Sequence, residues 1–208
     1  MSSNKRIIVG VTGASGAVYA KRLVECLLSA GVDVHLVVSP WGKRLFRDEL
    51  GIATIDVNAF SRSPRDRLTI HPHQDLASTL ASGTFLSDGM IICPCSSNSL
   101  GRIAAGIGDG LIARAAHVTL KEGRRLVVVP REMPTSRIDL QNMLRLNEAG
   151  AVICPASPAF YMKPNHIDDL VDSVVGKLLD LFQVPHDLHI RWGDDTEVSA
   201  RALTVDSR

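Results

Sequence analysis

Four small polar residues in a row, Ser96, Ser97, Asn98 and Ser99, follow the apolar run "GMIICPC" and lead into the helical pattern "LGRIAAG". Their hydroxyls and amide, with the free N–H groups of a helix's first turn, suit a polar or anionic ligand. One such residue is a helix cap and nothing more. Four of them facing other polar loops read as an anchoring point. A second such loop lies in "GVTGASGAVYAKRL", where Gly10, Gly13 and Gly16 fall on a threefold spacing between an apolar run and a periodic one. A glycine-rich turn from strand to helix aims backbone N–H groups at a phosphate. A dinucleotide site also needs an acid at the end of the second strand, to bind the ribose hydroxyls. Here that strand ends in Val37, Val38, Ser39 and Pro40, and the lysine of a P-loop is missing as well. The loop, Ser39 and the serine run together favour a mononucleotide. A third pair, Arg131 and Glu132 in "VVVPREMP", falls just past a strand of three valines. It reads either as a structural ion pair or as a guanidinium aimed at phosphate and fixed by a carboxylate. Convergence with two other polar loops favours the second.

Such loops need a scaffold that brings them to one place. Short apolar runs alternate with helical patterns along the chain: strands at "RIIVGV", "DVHLVVS", "GMIICPC", "RRLVVVP" and "AVICP", and helices at "AVYAKRLVECLLSAG", "WGKRLFRDELG", "LIARAAHVTLKEG", "SRIDLQNMLRLNEAG" and "HIDDLVDSVVGKLLDLF". Alternation of this kind predicts right-handed crossovers and a mainly parallel sheet covered on both faces, a doubly wound α/β three-layer sandwich. In such sheets ligands sit beyond the carboxyl ends of the strands, where all three loops fall. Residues 52–73 read as a loop containing small strands. Residues 1–182 read as one domain and 183–208 as a polar tail, in which Trp192 is a candidate anchor.

Bulk properties narrow the class of partner. The chain has 208 residues and a net charge of +1, with 4% aromatic residues. That balance predicts neither nucleic-acid nor membrane binding. The segment "MSSNKRIIVGVTG" lacks the apolar core of a secretory signal, and no run approaches a membrane span. The four cysteines, Cys26, Cys93, Cys95 and Cys154, read as reduced thiols of a cytoplasmic protein, and Cys93–Pro94–Cys95 fits no zinc signature. His71 and His73 read as loop histidines rather than metal ligands.

In order along the chain, "GVTGASGAVYAKRL", "CPCSSNSLGRIAAGIGD", "RAAHVTLKE", "PREMP", "NMLRLNEAGAVICPASPAFYMKP" and "IDDLVDSVVGKLLDL" resemble the flavin prenyltransferase (UbiX-like) family. The resemblance runs from Arg6 to Phe182. It implies a flavodoxin- or Rossmann-like sandwich that binds reduced FMN and dimethylallyl phosphate. The implied reaction joins the five-carbon unit to N5 and C6 of the flavin, without a metal. The product, prenylated FMN, serves a separate UbiD-type decarboxylase, and the implied assembly is a homo-oligomer, commonly a dodecamer. By position, Gly13, Ala14, Ser15, Ser39, Ser96, Ser97, Asn98, Ser99 and Arg131 match FMN contacts. Arg114, Lys121, Arg131, Glu132, Tyr161 and Lys177 match the polar set around the prenyl phosphate. Ser15, Glu49, Lys121 and Glu132 match catalytic groups, Ser15 and Glu49 those of the proton movements. Gly110, Met133 and Gln141 depart from the family's common Asn, Thr and Glu. Alternative readings are an FMN-binding cysteine-decarboxylase-like flavoprotein and a non-catalytic FMN carrier or accessory subunit.

Overall fold

The computed structural model describes residues 5–60 and 65–188. Six strands form one sheet: β1 (Arg6–Val11), β2 (Asp33–Val38), β3 (Leu68–His71), β4 (Gly89–Cys95), β5 (Arg125–Pro130) and β6 (Val152–Ile153). Their order is β3-β2-β1-β4-β5-β6, and every pairing is parallel. This is the order of a doubly wound Rossmann sheet, as the alternation of strands and helices predicts. Among the described residues six α-helices cover it: α1 (Ala17–Ser29), α2 (Pro40–Leu50), α3 (Ser97–Ala104), α4 (Leu111–Lys121), α5 (Arg137–Glu148) and α6 (Ile167–Leu181).

The central strands are apolar throughout because both faces are covered. Alternate residues go to opposite layers. Ile7, Val9, Val11, Ile91, Cys93, Val127 and Val129 join one core with α1 and α6. Ile8, Met90, Ile92, Cys95, Leu126 and Val128 join the other with α3 and α4. Leu23, Val24, Leu27 and Leu28 of α1 are buried at helical spacing, and the helix stops before Gly31, which takes φ 77°. Helix α2 stops at Gly51 in the left-handed region, as its sequence predicts.

Three local differences from the sequence reading have physical causes. Helix α3 begins at Ser97, earlier than the apolar pattern suggests, because Ser96 caps it. "AVICP" contributes only two strand residues. His71 belongs to β3 rather than to a loop: it is the last residue of that strand, and its Nε2 lies 3.0 Å from His35 Nδ1 on the neighbouring strand. Beyond α6, Val184 is buried in the core and His186 Nε2 lies 3.2 Å from the Asp180 carboxylate, whereas Trp192, with residues 189–208 of the expected tail, lies outside the described residues.

Candidate active site

The sheet order reverses between β1 and β4, so the connections leaving these strands diverge and open a crevice at their carboxyl ends. Three helix N-termini meet there. Ser39 caps α2, its hydroxyl accepting from Gly42 N at 3.0 Å, with Pro40 in the first helical turn. Ser96 caps α3, its hydroxyl accepting from Ser99 N at 3.3 Å. The two halves are tied by Thr12, whose hydroxyl accepts from Ser96 N at 2.7 Å and donates to Pro94 O at 2.9 Å.

The third terminus, that of α1, begins after Gly16, whose φ of 115° suits glycine. Its first amides already have an acceptor: the Glu49 carboxylate receives Gly16 N at 3.0 Å and Ala17 N at 2.8 Å. Glu49 reaches across from the last turn of α2, so one helix's acid caps its neighbour.

A cavity of about 410 Å³ fills the crevice. Thr12, Gly13, Ser39, Ser96, Asn98 and Ser99 give it a polar wall, and Trp41, Ile103, Ile112 and Ala113 an apolar one. Its size and mixed lining suit a small organic ligand. Gly13 is glycine because Trp41 packs over it; a Cβ there would come within 2.6 Å of Trp41 Cβ. Ser97 behaves differently from its neighbours. Its hydroxyl donates to the Asp139 carboxylate, which also accepts from Ser136 N at 3.1 Å in the capping box of α5. The Ser136 hydroxyl, which donates to the same carboxylate at 2.5 Å, and the Ser97 hydroxyl hold the Asp139 carboxyl below the usual carboxylate range.

Arg131 sits just past β5 on the same edge of the sheet. Its aliphatic stem would contact a Cβ on Gly16 at 3.4 Å, and its Nε is buried without a partner. Among the described residues no ion pair joins it to Glu132, which is exposed. A buried guanidinium N–H without an acceptor is poised for a ligand oxygen. Burial and the Cys93 thiol raise the pKa of nearby Tyr19, while Arg131 opposes the rise.

The remaining expected residues are spread more widely. Ala14 is buried and Ser15 exposed in the β1–α1 loop. Arg114, in the second turn of α4, donates from Nε to Ala81 O at 3.1 Å. Lys121 ends the same helix, exposed and paired with Glu122 at 2.6 Å. Helix α4 leads into the start of β5, so Lys121 lies at the edge of the sheet opposite the cavity. One helix length, about 15 Å, separates it from the cavity residues at the start of α4. Tyr161 is exposed in the 3-10 turn Phe160–Met162, and Lys177 is exposed on α6, close enough to Cys154 to lower that thiol's pKa against the rise caused by burial. Of the expected FMN contacts the single chain brings Gly13, Ser39, Ser96, Asn98 and Ser99 to one cavity, whose lining does not include Ala14, Ser15, Ser97 or Arg131, and it does not gather the full phosphate set. The sequence reading missed Trp41, His73, Arg102 and Asp109 in the lining. Trp41 follows the capped Ser39–Pro40 pair, which was the available signal; His73 arrives from a loop of irregular composition that offered none.

Comparison with known proteins agrees with this geometry. Residues 1–179 match the family model described as Flavoprotein. The chain is 44% identical over 197 residues to the flavin prenyltransferase UbiX of Halalkalibacterium halodurans, covering 93% of this chain and 96% of that protein. Its fold matches the crystal structure of AnUbiX (PadA1) in complex with FMN and dimethylallyl pyrophosphate with a TM-score of 0.82, at 42% identity over 91% of this chain and 97% of that one. It also matches a dodecameric FMN-dependent UbiX-like decarboxylase from Escherichia coli O157:H7, with a TM-score of 0.82, 44% identity, and coverage of 90% and 98%.

Proposed function

The chain belongs to the Flavoprotein family, among the UbiX flavin prenyltransferases, and from that premise we propose that it transfers a dimethylallyl group from dimethylallyl phosphate to N5 and C6 of reduced FMN. The prenylated FMN so made is passed to a UbiD-type decarboxylase. The observation that carries this reading is the crevice between β1 and β4. It holds a flavin-sized cavity, Arg131 just past β5 at the same end of the sheet keeps a buried, unpartnered Nε, and Ser39 stands where a dinucleotide site needs an acid.

The residues present fit FMN. Gly13, Ala14, Ser15, Ser39, the Ser96–Ser99 turn and Arg131 would hold it, with Trp41, Ile103 and Ile112 offering apolar surface to its ring. Bound in reduced form, FMN supplies the nucleophilic atoms. The carbon–oxygen bond of the allyl phosphate breaks with its electron pair leaving on phosphate. Fixed cations and a phenol stabilise that charge where it develops, the role assigned to Arg114, Lys121, Tyr161 and Lys177, with Glu132 beside Arg131. Bonding at C6 displaces a proton from the flavin ring, so a base must accept it. Glu49 or the released phosphate takes it, and Ser15 lies on the same loop.

Lys121 cannot serve the cavity of its own chain from the opposite edge of the sheet. In our reading it serves the cavity of a neighbouring copy in a homo-oligomer, in keeping with the dodecameric relative. We take residues 1–182 as the catalytic domain and 183–208 as an extension. No helix among the described residues is long and apolar enough to cross a membrane. All four cysteines are free, which suits the reducing cytoplasm we assign to the protein.

The test is anaerobic incubation of purified protein with reduced FMN and dimethylallyl phosphate, followed by mass spectrometry of the flavin. A gain of one five-carbon unit is expected, undiminished by exhaustive chelation. Flavin that binds tightly but stays unmodified would make the protein a carrier. Tight NADP binding without FMN binding would remove the flavin reading.

A further inference from the structure

The cavity wall contains an imidazole for which the reading above has no use. His73 lies two residues beyond β3, and its backbone is fixed against the start of α4, where Leu111 N donates to His73 O at 2.9 Å. Its ring lies against Gly110, the residue that precedes that helix. Gly110 has φ −157° and ψ 160°, extended backbone that any residue adopts. What a side chain lacks there is room: a Cβ on Gly110 would stand 2.9 Å from both Cε1 and Nε2 of His73. Glycine at 110 therefore admits the imidazole to the cavity wall.

The two ring nitrogens differ. Nδ1 is buried and has no hydrogen-bond partner, whereas Nε2 is not among the buried unpartnered atoms. A neutral imidazole carries one N–H. On Nδ1 that proton would be a buried donor without an acceptor, an arrangement folded proteins rarely tolerate. On Nε2 it leaves Nδ1 as a bare lone pair and gives the accessible side of the ring a donor. Burial lowers the His73 pKa, Lys43 and Arg102 add to the effect, and Asp109 opposes it. Asp109 is itself ion-paired with Arg102, so the surroundings hold the ring neutral near pH 7.

This neutral donor shares the cavity wall with Trp41, Ile103 and Ile112, whose apolar surface suits an aromatic ring, and Arg102 and Asp109 line the same wall. A flavin ring offers carbonyl oxygens and unprotonated nitrogens as acceptors. Resting on the flavin reading above, we propose that His73, seated on the cavity wall by Gly110, is a further flavin-binding residue, donating from Nε2 to an acceptor atom of the flavin ring.

The test compares FMN affinity, by fluorescence quenching and the visible spectrum of the bound flavin, in the full-length protein and three variants. His73→Phe keeps a planar ring and removes the donor; about a tenfold weaker Kd and a shifted flavin absorption are expected, the size of one neutral hydrogen bond. His73→Gln returns an N–H at a similar reach and should restore most of the affinity. Gly110→Ala keeps the imidazole but crowds it, and should also weaken binding. Flavin-free melting temperatures within a few degrees of one another would set these effects apart from misfolding. Wild-type protein that fails to bind FMN overturns the flavin reading itself. Tight FMN binding by wild type, His73→Phe and Gly110→Ala alike overturns the role of His73 and leaves that reading intact. Loss in His73→Phe without recovery in His73→Gln overturns the hydrogen bond.

Discussion

Glu49 has two roles that a substitution can separate. Its carboxylate accepts from Gly16 N and Ala17 N, which stabilises the start of α1. It is also the proposed proton acceptor. Glu49→Ala loses the cap and should lower stability by about 1 kcal/mol, read as a drop in the urea midpoint. Glu49→Gln keeps an oxygen for the amides but cannot take up a proton at neutral pH. Its midpoint should fall less, while single-turnover prenylation slows by about 100-fold, within the range of losing a general base. A normal rate in Glu49→Gln would leave Glu49 a cap and make the released phosphate the base. The acid's residue type was legible, as part of a family pattern. Its partners were not, because they lie more than thirty positions away and only the packing of α1 on α2 joins them. The serine run was legible as a group. Its division was not, since Ser97 turns to Asp139, a residue on another helix.

At the scale of elements, that carboxylate fastens the starts of α3 and α5 together. Asp139→Ala leaves the Ser97 hydroxyl and the Ser136 amide without their acceptor, and a loss of about 2 kcal/mol is expected on denaturation. FMN affinity should fall with it, because the Ser96 turn loses its brace. The β2–β3 pairing carries a pH dependence of its own. Burial, with His71 and Arg6 beside it and Asp33 opposing, pushes the His35 pKa down to about 4 from an ordinary 6.5. The unfolded chain then takes up the proton first as the solution is acidified. Stability contributed by neutral His35 is complete above about pH 6.5 and is lost progressively toward pH 4. Urea midpoints across that window should fall in the wild type and flatten in His35→Gln. The strands and most helix boundaries were readable from periodicity and capping residues. The strand order was not, because it depends on which faces pack rather than on any local pattern.

For the whole molecule, the position of Lys121 makes the strongest demand. If neighbouring copies supply it, two defective chains can repair each other. Lys121→Ala and Arg131→Ala are each expected to be nearly inactive alone. Co-expressed, they should form mixed oligomers in which some cavities keep an intact Arg131 and receive an intact Lys121. Recovery to about a quarter of wild-type activity is expected, the share set by random mixing of two chains at a two-copy site. No recovery in assemblies shown by mass to be mixed would return Lys121 to the solvated surface.

The sheet itself limits how copies can join. Its outermost strands are short: β3 has four residues and β6 two. Long bare edges invite strand-to-strand annealing between molecules, and short ones give little to anneal. Apolar side chains exposed on the surface lie elsewhere, Trp41 on α2, Ile138 and Leu144 on α5 and Phe160 in the turn before α6. In the proposed homo-oligomer, copies would meet through such helices and turns, and concentration would bring them together without opening a route to fibrils.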